Sequence, residues 1–208
     1  PLAYLIGKKG FWKNSFIVTP DVLVPRPETE TLVDAILNEN LQGKTLLELG
    51  TGSGAISISI AQENKDCFIF ATDISIKSIL VAKQNAAKFC CENIIFLNHD
   101  WNNEWLFPQV DYLISNPPYV DKEATSGKEE GIWHEPEIAL FSKDKGLSDL
   151  KLILSKGKNF LNENGKVYLE HAPDQYEELN KFAMENGYLN FSNLNDLNGD
   201  KRVSIYQC

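Results

Sequence analysis

Apolar positions along this chain follow two rhythms that take turns. From Lys44 onward, short apolar runs alternate with stretches in which apolar residues recur at helical spacing. Thr45 to Leu49 reads as a strand, Ala55 to Gln62 as a helix, Cys67 to Thr72 as a strand closed by Asp73, and Ser75 to Phe89 as a helix. Asn93 to Leu97 and Val110 to Ser115 are further strands. Leu147 to Phe160 then reads as helix, Gly165 to Glu170 as strand and Asp174 to Asn186 as helix. Tyr188 to Leu194 and Arg202 to Gln207 close the chain as an antiparallel pair. Such alternation predicts an α/β fold, a doubly wound, mostly parallel seven-stranded sheet. Ahead of it, apolar runs around Lys13-Asn14-Ser15 predict a β-hairpin, and Leu32, Val33, Ile36 and Leu37 a linking helix. The expected division is 1–43 for hairpin and linking helix and 44–208 for the main domain. A polar stretch over 121–145 breaks the rhythm, and loops of that length are usually functional or mobile.

Composition narrows the classes. A chain of 208 residues that is 43% apolar has room for one full core. No run of about 18 apolar residues is present, so no membrane span is expected. The chain opens at Pro1 with no charged-then-apolar leader, so a cytoplasmic protein is expected, and the missing Met suggests a piece of something longer. A net charge of −9 argues against charge-driven binding to nucleic acid. Cys67, Cys90, Cys91 and Cys208 form no Cys-x-x-Cys pair and read as reduced thiols, with no metal site expected.

Two corners carry candidate chemistry. Glu48-Leu49-Gly50-Thr51-Gly52-Ser53-Gly54 follows a strand and opens a helix, the context in which a glycine turn lets backbone approach a ligand closely. It is neither G-x-G-x-x-G nor a P-loop. Asp73 ends the next strand, 19 residues after Gly54, where a carboxylate can accept both hydroxyls of a ribose. The bland reading of Asp73 is a cap for the helix that starts near Ser75.

The second corner is Asn116-Pro117-Pro118-Tyr119, directly after the run Val110 to Ser115. Proline gives no N–H to a sheet and holds the residue before it extended. Asn116 and Pro117 are therefore held stiffly, and the Asn116 side-chain oxygen and Pro117 carbonyl can point the same way. Two acceptors side by side suit a planar –NH2 group, and Tyr119 offers a flat wall for its plane. Strand ends of such sheets hold the ligands, so Asn116 should face the bound ligand.

The glycine turn and Asp73 together resemble the class I S-adenosylmethionine-dependent methyltransferases. The resemblance implies S-adenosylmethionine as cofactor, with S-adenosylhomocysteine as product. It implies Glu48 near the methionine part, Asp73 on the ribose, and Asp100-Trp101 bordering the adenine. Asn-Pro-Pro-Tyr resembles the motif of enzymes that methylate adenine, guanine or a glutamine amide, and its spacing does not separate the three. Val24-Pro25-Arg26-Pro27-Glu28-Thr29-Glu30 does, because with Pro1-Leu2-Ala3-Tyr4-Leu5-Ile6-Gly7 it is similar to the PrmC/HemK family of protein-glutamine methyltransferases. His134-Glu135-Pro136-Glu137-Ile138-Ala139-Leu140 and the tail Asp196 to Val203 fit the same family.

That resemblance implies a peptide-chain release factor as protein partner, no direct binding of nucleic acid, a monomeric enzyme, and Arg26 and Glu28 at the edge of the active site. Asn116, Pro117 and Tyr119 become the expected catalytic residues, with Pro118 beside them on the substrate. Two features depart from the family: its small upstream helical domain is not in this chain, and Ser126 to Trp133 is less typical. The competing readings are a nucleic-acid amino methyltransferase and a non-catalytic methyltransferase-like subunit. His99, His134 and His171 are scattered and read as structural or solvated; Trp12, Trp105 and Trp133 read as core or loop anchors.

Overall fold

The run Thr45–Leu49 forms strand β3 of the sheet because both of its faces are covered. Leu46 is buried on one side among helices, and Leu47 and Leu49 on the other. Strands buried on both faces carry continuous apolar runs rather than an apolar–polar alternation. The computed structural model describes residues 1–124 and 134–208, and the expectations for Ser126 to Trp133 lie outside the described residues.

The elements run in the order α1 (Leu2–Ile6), β1 (Lys8–Phe11), β2 (Asn14–Ile17), α2 (Glu30–Leu37), β3, α3 (Ala55–Glu63), β4 (Phe68–Asp73), α4 (Ile76–Lys88), β5 (Ile94–Asn98) and β6 (Val110–Ser115). They continue as α5 (Ser148–Gly157), β7 (Leu161–Glu170), α6 (Tyr176–Glu185), β8 (Asn190–Asn195) and β9 (Lys201–Gln207). β1 and β2 pair as an antiparallel hairpin; the main sheet has seven strands in the order β5-β4-β3-β6-β7-β9-β8. Pairing is parallel from β5 to β7 and antiparallel from β7 through β9 to β8. The expected α/β architecture is therefore the observed one.

Leu46, Tyr112, Ile114 and Tyr168 face one apolar cluster with α2 and α3, while Leu47, Leu113, Val167 and Leu169 face another with α5 and α6. Fully burying each such leucine contributes about 1.5–3 kcal/mol. The first cluster also takes in Phe11 and Phe16 of the hairpin, so packing is continuous across residue 43. The hairpin is fastened to α4 by Asn85, whose Oδ1 accepts the Ile17 N–H (2.7 Å) and whose Nδ2 donates to the Ile17 carbonyl (3.0 Å).

Three boundaries differ from expectation. The hairpin turns at Trp12-Lys13, not around Asn14, because Trp12 takes a φ of 52° and β2 starts at Asn14. Leu2–Ile6 is a short helix that apolar spacing alone did not signal. β7 starts at Leu161, which pairs with Val110; the register then slips so that Tyr112 pairs with Lys166.

The order of strands sets the position of the site. From β3 the chain moves outward through β4 and β5, then returns to lay β6 on the other side of β3. The crevice at such a reversal opens beyond the carboxyl ends of the two central strands. Here Leu49 is level with Ser115, and the Ser115 hydroxyl donates to the Leu49 carbonyl (2.7 Å). Gly50 and Asn116, the next residue of each strand, emerge side by side.

Candidate active site

The glycine turn is held from below. The N–H groups of Gly50 and Thr51 both donate to the Thr72 carbonyl, at 2.9 and 2.8 Å. Asp73 fastens its far side: Oδ2 accepts the Gly52 N–H and Oδ1 the Ser75 N–H, each at 2.9 Å. The cap of α4 is Ser75, whose Oγ accepts the Ser78 N–H (3.2 Å), so the capping reading of Asp73 is set aside. Burial pushes the Asp73 carboxyl up, and the Ser75 and Gly52 N–H groups hold it down.

Above this turn lies a cavity of about 300 Å³, within the range of small-molecule sites. Gly50, Gly52, Asp73, Asp100, Trp101 and Asn116 all line it, and so does Pro118, which was expected on the substrate side with Pro117 and Tyr119. The Trp101 ring stands over Gly50, where an added Cβ would come within 3.3 Å of it. Trp101 Nε1 donates to Asp149 Oδ1 (3.0 Å), which fixes the ring, and Asp100 Oδ1 accepts the Asn102 N–H (2.9 Å). Asp149 and Phe141 are also on its wall and carried no local signal in the sequence; Ile138, from the His134–Leu140 segment, is there as well.

Two expected cofactor contacts are corrected. Glu48 does not line any of these cavities; it is fully buried beneath the turn, accepting the Thr51 hydroxyl (2.7 Å) and the Ser57 hydroxyl on Oε2. Burial raises its pKa to about 7 against the pull of those hydroxyls, and its Oε1 has no hydrogen-bond partner among the described residues. Gly54 also stays off the wall. It opens α3 at φ 81°, and a Cβ there would strike Ile58 (2.8 Å) and Ala82 (3.2 Å), so close helix packing requires this glycine. Thr51 and Ser53 border a small pocket of about 50 Å³ that shares Gly50, Gly52 and Asn116 with the larger cavity.

Asn116 is where the cavities meet. It lines the larger cavity, the small pocket, and a third space of about 260 Å³ walled by Leu23, Arg26, Pro117, Tyr119, Val120, Ala139 and Leu140. Its Nδ2 donates to Thr29 Oγ1 (3.1 Å), an arrangement that leaves Oδ1 as a free acceptor. Tyr119 walls the third space and sends its hydroxyl to Glu170 Oε1 (3.0 Å). The Tyr119 carbonyl accepts from Gln175 Nε2 (2.9 Å), and it faces Gly146 so closely that a Cβ there would lie 2.0 Å away.

Arg26 lines the two smaller spaces and pairs with the buried Glu135, whose other oxygen accepts the Val24 N–H (2.9 Å). This clasp joins segments 111 residues apart. Glu28 is a further correction, since it lines none of the three spaces. Pro27–Thr29 is a 3₁₀ turn, which rotates the buried Thr29 inward and leaves Glu28 half-exposed outside.

The remaining single residues are structural. His171 bridges the Ala172 carbonyl (2.8 Å) and Ser204 hydroxyl (2.7 Å), His99 stacks edge-on against Phe107, and His134 is exposed. Trp105 is core and Trp12 anchors the hairpin turn through Glu63. No helix among the described residues is long and apolar enough to cross a membrane.

Comparison with known proteins settles the lineage. The methyltransferase small domain family matches residues 27–135. A release factor glutamine methyltransferase of Coxiella burnetii is 38% identical over 210 residues, covering 99% of this chain and 74% of that protein. Another of that name, from Francisella tularensis, is 37% identical over 211 residues, 100% of this chain and 74% of its own. The chain belongs to the release factor glutamine methyltransferase family. Among solved structures, a methyltransferase from Pyrococcus furiosus shares the fold at a TM-score of 0.67 and 20% identity, over 92% of this chain and 87% of that one. Within this methyltransferase, the elements quoted from the sequence as family-like converge physically: Val-Pro-Arg-Pro and His-Glu-Pro meet in the Arg26–Glu135 clasp at the rim of the third space.

Proposed function

We propose that this methyltransferase transfers a methyl group from S-adenosylmethionine to the side-chain amide nitrogen of a glutamine in a peptide-chain release factor, in the cytoplasm. The observation that carries the reading is the junction at Asn116, an acceptor side chain shared by the larger cavity of about 300 Å³ and the third space of about 260 Å³.

The residues suit S-adenosylmethionine. Asp73 keeps a lone pair on each oxygen for ribose hydroxyls, Asp100 and Trp101 border the adenine, and Gly50 and Gly52 leave the turn open to the methionine end. When bound, the cofactor supplies an electrophilic methyl on a positive sulfur.

The chain's own part is to make a poor nucleophile competent. An amide nitrogen shares its lone pair with the carbonyl. Asn116 Oδ1 and the Pro117 carbonyl accept its two N–H protons and hold the nitrogen facing the larger cavity, while Tyr119 walls the amide plane. Orientation of this kind contributes up to about 7–11 kcal/mol in well-aligned systems. Fixed acceptors further favour the positive charge that develops on nitrogen. The nitrogen held by Asn116 and Pro117 would take the methyl, the sulfur would leave with the carbon–sulfur electron pair, and the surplus proton would pass from nitrogen to water.

The test is incubation with labelled S-adenosylmethionine and, separately, release factor, DNA and RNA. Label should appear on release factor glutamine alone, and Asn116→Ala should remove most of it while leaving cofactor affinity within about threefold, since its main contact is with the acceptor. Label on nucleic acid, or full turnover by Asn116→Ala, would refute the reading.

A further inference from the structure

Glu170 closes β7 and is wholly buried behind the Asn-Pro-Pro-Tyr corner. The sequence reading passed over it. Its Oε1 accepts the Tyr119 hydroxyl, whereas Oε2 has no hydrogen-bond partner among the described residues. The Thr29 hydroxyl is another side-chain group that favours the charged form of this carboxylate, without closing a hydrogen bond onto the unpartnered Oε2 in this structure, and the same Thr29 oxygen accepts from Asn116 Nδ2 at 3.1 Å. A hydroxyl has one proton to give. We propose that Glu170 is a positioning residue that takes the Thr29 proton, so that Thr29 can only accept and the Asn116 amide is held with its oxygen toward the cavities.

The direction of that amide decides whether the site can work. Turned over, Asn116 would present N–H groups to the N–H groups of the incoming amide, donor against donor. Nothing in the shape of an asparagine prevents the turn, because its two ends are nearly the same size. The chain Asn116–Thr29–Glu170 removes the ambiguity by giving the hydroxyl a fixed polarity. This inference rests on the glutamine-amide reading above and extends it to what sets the polarity of the acceptor.

The groups around Glu170 come from each neighbouring element. Arg202 from β9 lies nearby and is itself tied to Asp196 (3.3 Å); Glu28 belongs to the turn that carries Thr29; Tyr119 covers the cavity side. Burial pushes the Glu170 carboxyl up to about 7, with Thr29, Tyr119 and Arg202 opposing and Glu28 adding to the rise. Protonated, the carboxyl becomes a donor and no longer demands the Thr29 proton. Methyl transfer should then fall on the acid side while cofactor binding stays level.

The experiment compares Thr29→Ser, Thr29→Val and Glu170→Gln with the wild type, taking kcat, KM for release factor, cofactor Kd and thermal midpoint from the same preparations. Serine keeps the hydroxyl and should retain most of kcat. Valine has no polar group, and glutamine can donate to Thr29; each should lower kcat about ten- to hundredfold with Kd within about twofold. The acid limb of the wild-type kcat profile should persist in Thr29→Ser and vanish in Thr29→Val. Wild-type kcat in Thr29→Val, or equal losses in the serine and valine variants, overturns the proposal even if Glu170→Gln fails to fold. A wild type that labels no release factor sinks the parent reading instead. The Asn116 side-chain amide resonances then still test the polarity, since they should match between wild type and Thr29→Ser and shift in Thr29→Val.

Discussion

Replacing Asp73 by asparagine is conservative in shape and not in chemistry. Both carboxylate oxygens already hold a backbone donor, Gly52 on one side and Ser75 on the other, each at 2.9 Å. Asparagine has one acceptor oxygen, so its –NH2 must face one of those N–H groups. Leaving a donor of this kind unpaired costs about 1–3 kcal/mol, and the ribose hydroxyls also lose an ionised acceptor worth about 1.5–3 kcal/mol. At about 1.4 kcal/mol per tenfold, the second loss alone raises the Kd for S-adenosylmethionine about ten- to hundredfold. The first loss acts on the empty protein and should lower its thermal midpoint by about 2–10 °C. Calorimetric titration and thermal unfolding on one preparation separate the two effects. Asp73→Ala should bind about as poorly as Asp73→Asn. Affinity within about threefold of wild type in the asparagine variant would show that the carboxylate neither holds the turn nor meets the ligand.

Two further perturbations test the scaffold. Gly146→Ala sets a Cβ 2.0 Å from the Tyr119 carbonyl oxygen at φ 84°, so backbone must move; a cost of about 2–5 kcal/mol should appear as a lowered thermal midpoint together with reduced methyl transfer. An unchanged midpoint would contradict the close packing behind Tyr119. Glu48 is raised from 4.5 to about 7 by burial, so the folded protein holds its proton more tightly than the unfolded chain. Stability should therefore fall as pH rises from about 4.5 to about 7. Glu48→Gln should flatten that part of a midpoint-against-pH curve, and an unaltered slope would remove Glu48 as its source.

Most of the sheet was legible because its strand ends carry strong stop signals. β4 ends at Asp73 and β6 at the residue before Asn-Pro-Pro, as read. The hairpin was legible in kind but displaced in register, since Trp12 adopts a positive φ that no glycine or asparagine announces. Within Pro-Glu-Thr, an ordinary helical start would have favoured Glu28, and the tighter 3₁₀ turn brings Thr29 inward instead. Glu48 was expected near the methionine part only through the resemblance, and its burial beneath the turn was not legible because both sides of β3 are covered. Glu170 and Gln175 could not be found locally. They reach the corner only because β7 lies beside β6, with Leu169 level with Ser115, and pairing between distant strands leaves no mark in either segment alone.

Asn116 belongs at once to the larger cavity and to the third space, and apart from it, Leu23 and Ala139 the walls of the two are made of different residues. The larger cavity draws on Asp73, Asp100, Trp101 and Asp149, the other on Arg26, Pro117, Tyr119, Val120 and Leu140. On the proposed function, an inhibitor that stops at the partition meets only groups suited to a nucleoside, which many unrelated enzymes also bind. One that passes Asn116 on a short linker and ends in an amide would meet the Arg26–Glu135 rim as well. Selectivity in this molecule is thus a question of reach past Asn116, the side chain that both spaces share.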